Sequence, residues 1–380
     1  MRTVAIMLCG ALAAGLLTGC DSNFLPRSQD ISQVELVRTI AVDSADRDQV
    51  KITVSGGVKR TADGSTSKPL ILEQEAGTVF AACQMIQKNG SGYVSYGHVT
   101  ECVVGTEAAQ AGIDRVLDYI QRDFEMRLDT LLFLADQEEA GTLLKKTADK
   151  ESAATERFQE IDRELPLKSQ AWPCTVREFL VDLYDNGWSM MPVVELVKEQ
   201  EGYGIGTGGM ALFYETELVD KLDTRTSQGA CLLLNQGRVG YMDVDLPDSG
   251  IAGLKLTDEN CRWSTQWTGE DLTGITAELQ VTADLAEVSG TVDLQEETVL
   301  REIEKKLAAQ ITEEAAAALR EEKKHGDFLH LEREVAARHP GKIKQIRENW
   351  DRWLETLTFH VETQTVIRQS YDVGRGVEQS

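Results

Sequence analysis

Apolar positions along this chain change their period several times, and each change predicts an element. Residues 49–58 alternate Val50, Ile52 and Val54 with Lys51, Thr53 and Ser55, the period of two expected of a half-buried strand. Residues 34–42 form a β-branched run before an Asp/Ser-rich turn over 43–48, and Gly56-Gly57 predicts a bulge or strand exit. Residues 76–87 then read as a helix with Val79, Cys83 and Ile86 on one face, and 98–105 as a strand. Over 111–126, Ile113, Val116, Leu117, Ile120 and Phe124 recur at spacings of three and four, which marks an amphipathic helix. Asp114, Arg115, Asp118, Arg122 and Asp123 cover its other face as a solvated surface. A strand at 131–135 and helices at 138–150 and 175–186 complete a mixed α/β unit over 31–200.

Residues 203–270 are richer in glycine. Runs at 204–214, 230–234 and 238–244 predict an antiparallel meander with polar turns at 224–228 and 235–237. The last unit, 271–380, alternates over 275–293 and then turns helical over 296–324, with Val299, Ile303, Leu307, Ile311 and Leu319 as the buried stripe. Pro340 opens a further helix at the position where its missing N–H costs nothing. Ile343, Ile346, Trp350, Trp353 and Leu357 form that helix's apolar side, and helical spacing favours core packing over an exposed aromatic patch. A closing strand over 359–368 puts Phe359, Val361 and Ile367 on one face. The fold class expected is α+β: three unlike domains (31–200, 203–270 and 271–380) with antiparallel and mixed sheets and packed helices.

The first nineteen residues stand apart as a signal peptide. Arg2 is a minimal positive region, and the apolar run 4–17 is too short for a membrane-spanning helix of about 20 residues. It ends in Leu17-Thr18-Gly19-Cys20. Small Thr18 and Gly19 expose the backbone to a peptidase cutting between Gly19 and Cys20. The Cys20 thiol then accepts a diacylglycerol, and its freed amine can take a further acyl chain. Two chains anchor stably where one does not. An ordinary secretory signal would show an Ala-x-Ala site, and none follows the apolar run. Residues 20–30 read as a lipidated N-terminus and polar spacer. No later run approaches 18 continuous apolar residues.

Charge narrows the partners. The 380 residues carry 39 Lys and Arg against 63 Asp and Glu, a formal charge of -24, which opposes binding to nucleic acid. The excess is uneven: residues 296–355 hold 12 basic against 14 acidic side chains, so a docking face is expected first in that near-neutral helical region. Cys83, Cys102, Cys174, Cys231 and Cys261 show no metal-clip spacing; disulfides and buried free thiols both remain open. His325 and His330 are placed badly for one metal and are expected near a helix end, where a cation complements the dipole. Residues 204–209 are glycine-rich, but a strand follows where a phosphate loop needs a helix. No G-x-S-x-G or H-E-x-x-H occurs. No catalytic residue, metal or cofactor is expected, and no ligand-binding residue is assigned.

Several segments in order resemble the Ger(x)C family, the lipoprotein C subunits of spore germinant receptors. They are 30–43 (DISQVELVRTIAVD), Tyr96-Gly97-His98 into Val103-Val104-Gly105, 112–127, 206–222 (GTGGMALFYETELVDKL), 326–331, His339-Pro340 and 350–367. Ser28, Ala41 and Leu331-Glu332 depart from the family pattern and mark a divergent member. The resemblance implies three mixed α/β domains, lipidation at Cys20 and residence on the outer face of the inner spore membrane. It also implies partnership with two polytopic membrane subunits, the A and B types, and no catalysis. The alternative is a solute-binding lipoprotein of a transporter, which would show two comparable lobes around a hinge.

Overall fold

The computed structural model describes residues 34–368 apart from 57–68, 90–91, 138, 149–153, 201, 238–239, 247–249 and 290–296. Gly19, Cys20 and the spacer lie outside the described residues.

The first sheet is built on strands that run parallel and are covered on both faces. Strands β1 (Val34–Ala45), β5 (Glu101–Gly105), β6 (Leu131–Asp136) and β7 (Trp188–Lys198) are parallel neighbours. β2 (Gln49–Gly56) and β3 (Ile71–Ala76) add antiparallel on one side, and the short β4 (Tyr93–Ser95) pairs with the start of β1. β8 (Tyr203–Tyr214) and β9 (Glu217–Leu222) add antiparallel beyond β7, making nine strands.

Alternation sends successive side chains of these strands to different cores. Ile40, Val42, Cys102, Val104, Leu132 and Leu134 face one, with helices α1 (Val79–Asn89), α2 (Thr106–Ala111), α3 (Asp114–Arg122) and α6 (Val176–Asn186) packed over them. Ala41, Val103, Phe133 and Ala135 face the other, under α4 (Ala140–Thr147), α5 (Ala154–Lys168) and α7 (Thr224–Leu234). Phe133 meets Phe158 of α5 with ring centroids 5.0 Å apart.

The second sheet has four strands, β10 (Gly240–Asp245), β11 (Ile251–Thr268), β12 (Asp271–Val288) and β13 (Thr358–Arg368). They are antiparallel except β12 and β13, which are parallel. Between those two lie the long α8 (Glu297–His325), α9 (Leu331–Arg338) and α10 (Ile343–Thr356). The expected stripe of α8 is buried at Ile303, Leu307, Ile311 and Leu319, and Ala315 and Ala318 extend it. These side chains belong to the core that also holds Phe133 and Leu143, so one apolar interior runs from the first sheet into the second. Trp350 and Trp353 are buried there too, as core packing predicts.

Two expectations are corrected. Residues 230–234 lie inside α7, not in a strand, and 224–228 form its first turns. The Asp223 carboxylate accepts from the Thr226 N–H at 2.7 Å, and Asn235 closes the helix in the left-handed region. Gly229 explains the packing: an added Cβ would sit 2.0 Å from the Glu314 carbonyl oxygen of α8. In addition, β7 and β8 pair antiparallel from Lys198 opposite Tyr203, on either side of the place where the sequence reading puts a boundary. Backbone pairing therefore puts β8 and β9 in the first sheet.

Gly229→Ala is expected to destabilise the protein by about 1–3 kcal/mol, the usual cost of overpacking, read from the denaturant midpoint. Gly341→Ala, where an added Cβ meets nothing within 4 Å, leaves the midpoint close to that of the parent.

Candidate functional site

Parallel strands collect ligands at their carboxyl ends, and a cleft of about 480 Å³ lies there, lined by Asp43, Ser44, Gly105, Thr106, Asp136 and Glu139. Asp43 is the last residue of the family-like opening segment. Its carboxylate is already engaged, accepting from the Ala140 and Gly141 N–H groups at 2.8 Å each and so capping α4. The approach is close enough that an added Cβ on Gly105 would fall 2.1 Å from Asp43 Oδ1. Burial pushes the Asp43 carboxyl up while the two backbone donors pull it down. Around it, Lys51 pairs with Glu139 at 2.7 Å and Lys221 with Asp136 at 2.5 Å. Asp43 thus ties β1 to α4 and fixes the rim of the cleft.

A second cleft of about 500 Å³ opens at the amino ends of β5 and β6. Glu101, at the first position of β5, lines it and is fully buried. Thr39 Oγ1 donates to Glu101 Oε2 at 3.0 Å. Burial pushes the Glu101 carboxyl up to about 7, against the pull of the Thr100 and Thr39 hydroxyls and of Arg38.

A third cluster joins the halves of the molecule at the end of α8. Gly326 takes φ +139, and an added Cβ would lie 2.6 Å from the Trp188 ring. Asn186 at the end of α6 donates to the Asp327 carbonyl at 2.6 Å. The Asp327 carboxylate accepts from Leu331 N–H at 2.6 Å and Glu332 N–H at 3.0 Å, the first turn of α9. Glu322, fully buried, accepts from Leu329 N–H at 2.9 Å. Burial, followed by the charge and hydrogen bond of Asp327, pushes the Glu322 carboxyl far up, so Glu322 keeps the proton of this pair.

His330 corrects the helix-end expectation. It is buried at the start of α9 with φ 53, and burial lowers it to about 4, so it is uncharged at neutral pH. His325 does sit in the last turn of α8, with Nε2 3.0 Å from Asp220 and 3.2 Å from Glu321. These three could share a metal ion. The Lys324 ammonium already pairs with the same two carboxylates, at 3.4 and 2.9 Å. The Glu321/His325 spacing of four is visible in sequence, whereas Asp220 enters from β9, a hundred residues earlier.

The remaining candidates are structural. Residues 204–209 run within β8, where Gly209 at φ +90 lets the Leu222 carbonyl approach. Asp118 pairs with Arg122, and Asp48 with Arg115, on the solvated side of α3. Cys83, Cys102, Cys174, Cys231 and Cys261 are buried free thiols, and burial raises each.

Two matches to known families cover most of the chain. Residues 27–196 match the spore germination protein N-terminal domain, and residues 208–371 match the spore germination B3/GerAC-like C-terminal family. The chain belongs to the GerAC-like family of spore germination proteins. Its relatives include the putative spore germination protein YfkR of Bacillus subtilis strain 168, 24% identical over 370 residues and covering 93% of each chain. Spore germination protein GerQC of Bacillus cereus is 22% identical over 362 residues, 93% of this chain and 95% of that one. The crystal structure of the GerBC protein shares the fold, with a TM-score of 0.57 at 14% identity over 89% of this chain and 99% of that chain. The GerAC family is not known for enzymes. Among the described residues, no helix is long and apolar enough to cross a membrane.

Glu322 and Asp327 give a pH signature. Both folded values lie above the ordinary 4.5 and 3.8. Their stabilisation is complete below those ordinary values and is lost as pH rises through the folded ones. His330, lowered from 6.5, acts in the opposite sense below that pH. Melting temperature is therefore compared with that of Glu322→Gln, which retains an acceptor for Leu329. The parent should lose more stability than the variant between pH 5 and 8.

Proposed function

We propose that this GerAC-family spore germination protein is the membrane-tethered, non-catalytic subunit of a nutrient germinant receptor. Its partners would be two polytopic subunits, on the outer face of the inner spore membrane. The observation that carries this reading is the order of segments: both GerAC-family matches, 27–196 and 208–371, stand behind Leu17-Thr18-Gly19-Cys20. A diacylglycerol on Cys20 would anchor the fold through the short chain that enters β1 at Val34. With a formal charge of -24 and an anionic membrane surface repelling it, lipid rather than charge must provide the attachment. The near-neutral stretch 296–355 contributes α8, α9 and α10 and is the first place to look for subunit contacts.

Unlike sheets of nine and four strands with one shared interior favour this reading over a solute-binding lipoprotein with two matched lobes. In a spore former carrying this gene, Cys20→Ala should abolish labelled-palmitate incorporation and move the protein out of the membrane fraction. Deletion should slow or abolish loss of spore refractility after addition of at least one nutrient. Normal germination with every nutrient, in a strain without a paralogue, would sink the receptor reading. Palmitate labelling that survives Cys20→Ala would sink the anchor.

A further inference from the structure

The cleft at the amino ends of β5 and β6 is acidic, and its floor holds a carboxylate that the fold leaves partly unanswered. Four carboxyl side chains line it: Glu101, Asp129, Asp162 and Glu178. Two are accounted for. Asp129 takes a bidentate pair from Arg127 at 2.6 and 2.8 Å. Glu178 Oε2 accepts from the Thr175 N–H and hydroxyl at 2.9 and 2.8 Å, closing the capping box of α6.

Glu101 and Asp162 are different. Glu101 is 0% exposed, and its Oε1 has no hydrogen-bond partner. A buried oxygen left without a donor is costly, and such an atom beside a cleft is placed to accept from a ligand. Asp162, on α5, forms no ion pair among the described residues, and it is raised by burial and by Glu178. The Thr100 and Thr39 hydroxyls and Arg38 of β1 act on Glu101, and Arg163 lies near Asp162, yet both carboxyls stay above their ordinary values.

We propose that this cleft binds a small organic cation, an ammonium or guanidinium compound, with Glu101 and Asp162 as its counter-ions. The sign follows from the lining, which would repel an anion. The size follows from the volume, about 500 Å³, within the range of small-molecule sites and far larger than a bare ion needs. An inorganic cation requires donors that converge, and among the described residues only Asp220, Glu321 and His325 do so, on other elements. Leu131 and Pro173 supply an apolar wall for a carbon skeleton. Gln236 also lines the cleft and comes from the stretch matched by the C-terminal family, so the ligand would touch both halves of the chain. The proposal does not depend on the receptor reading.

The test is calorimetric titration of the full chain in detergent, at constant ionic strength, with 1,4-diaminobutane and with methylguanidine as probes. Saturable binding of at least one probe is expected. Glu101→Gln, which keeps an acceptor for Thr39, and Asp162→Asn should each weaken it at least tenfold. Asp114→Asn, on the solvated face of α3, should leave it unchanged. Asp162 sits on a surface helix, so its variant keeps the test decisive even if Glu101→Gln fails to fold. Failure of both probes to saturate, binding unchanged in Asp162→Asn, or calcium chloride competing as well as the organic probes would each overturn the proposal.

Discussion

Helix α8 must bury apolar side chains against more than one element at once, and the arrangement of both sheets follows from that requirement. Ile303, Leu307, Ile311, Ala315 and Ala318 are fully buried in a core that includes residues of both sheets. On the side of the first sheet, α7 comes close because Gly229 has no side chain where it meets the Glu314 carbonyl. On the side of the second sheet, β13 is bound by polar contacts as well as apolar ones. Thr365 Oγ1 donates to the Glu304 carbonyl at 2.8 Å, Ile367 N–H donates to Glu304 Oε1 at 3.0 Å, and Thr312 donates to Thr363 at 2.8 Å. At its last turn the helix delivers Glu322 into a buried site beside Trp188 and Asn186. One helix thus couples the two family-matched halves through packing, hydrogen bonds and a carboxyl pair.

That coupling changes how the acidity of the chain is understood. A large negative charge suggests a uniformly solvated surface, but several carboxyls are interior. Glu101, Glu322 and Asp327 are at most 4% exposed, and each is held by hydroxyl or backbone donors. Burial raises all three, so the folded protein carries less negative charge near neutrality than its formal count. Other acidic groups sit at rims and helix faces, where some pair with a Lys or Arg, as Asp48 does with Arg115, Asp129 with Arg127 and Asp136 with Lys221.

Much of the fold was legible because the relevant signals are local. The strands β1, β2, β5, β6 and β13 and the helices α1, α3, α6, α8 and α10 all follow from the runs and period of apolar residues. The misses have physical causes. α7 carries GACLLL, a short apolar run that suits helix and strand equally until the Asp223 cap and the contact at Gly229 are known. β11 was not foreseen because its alternation is broken by register shifts at Gly253/Leu254 and Leu256/Asp258. α5 has a weak apolar stripe, and its partners lie on the distant strands β6 and β8. For the cleft at the amino ends, Glu101 stands in the strand run 98–105 with no local signal that sets its carboxylate apart from other acidic residues. Asp162 could not be joined to it, since sixty residues and a sheet-to-helix crossing separate them. Cys20 presents the reverse case, being legible from four consecutive residues and lying outside the described fold.

The parallel pairing of β12 with β13 has a consequence for how the chain is made. Gly274 is paired with Thr358 and Asp284 with Arg368, so the second sheet takes its last strand from residues that leave the ribosome about eighty positions after their neighbours. Until then α8 has no strand to cover the face that β13 will occupy, and β12 presents an open edge. Long-range pairing of this kind slows folding and lengthens the exposure of apolar surface. The first sheet closes its backbone pairing with β9, but one of its faces shares an apolar core with α8 and the second sheet. The face of the first sheet that α8 covers and the open edge of β12 are therefore sealed last, and apolar surface stays exposed until β13 is in place.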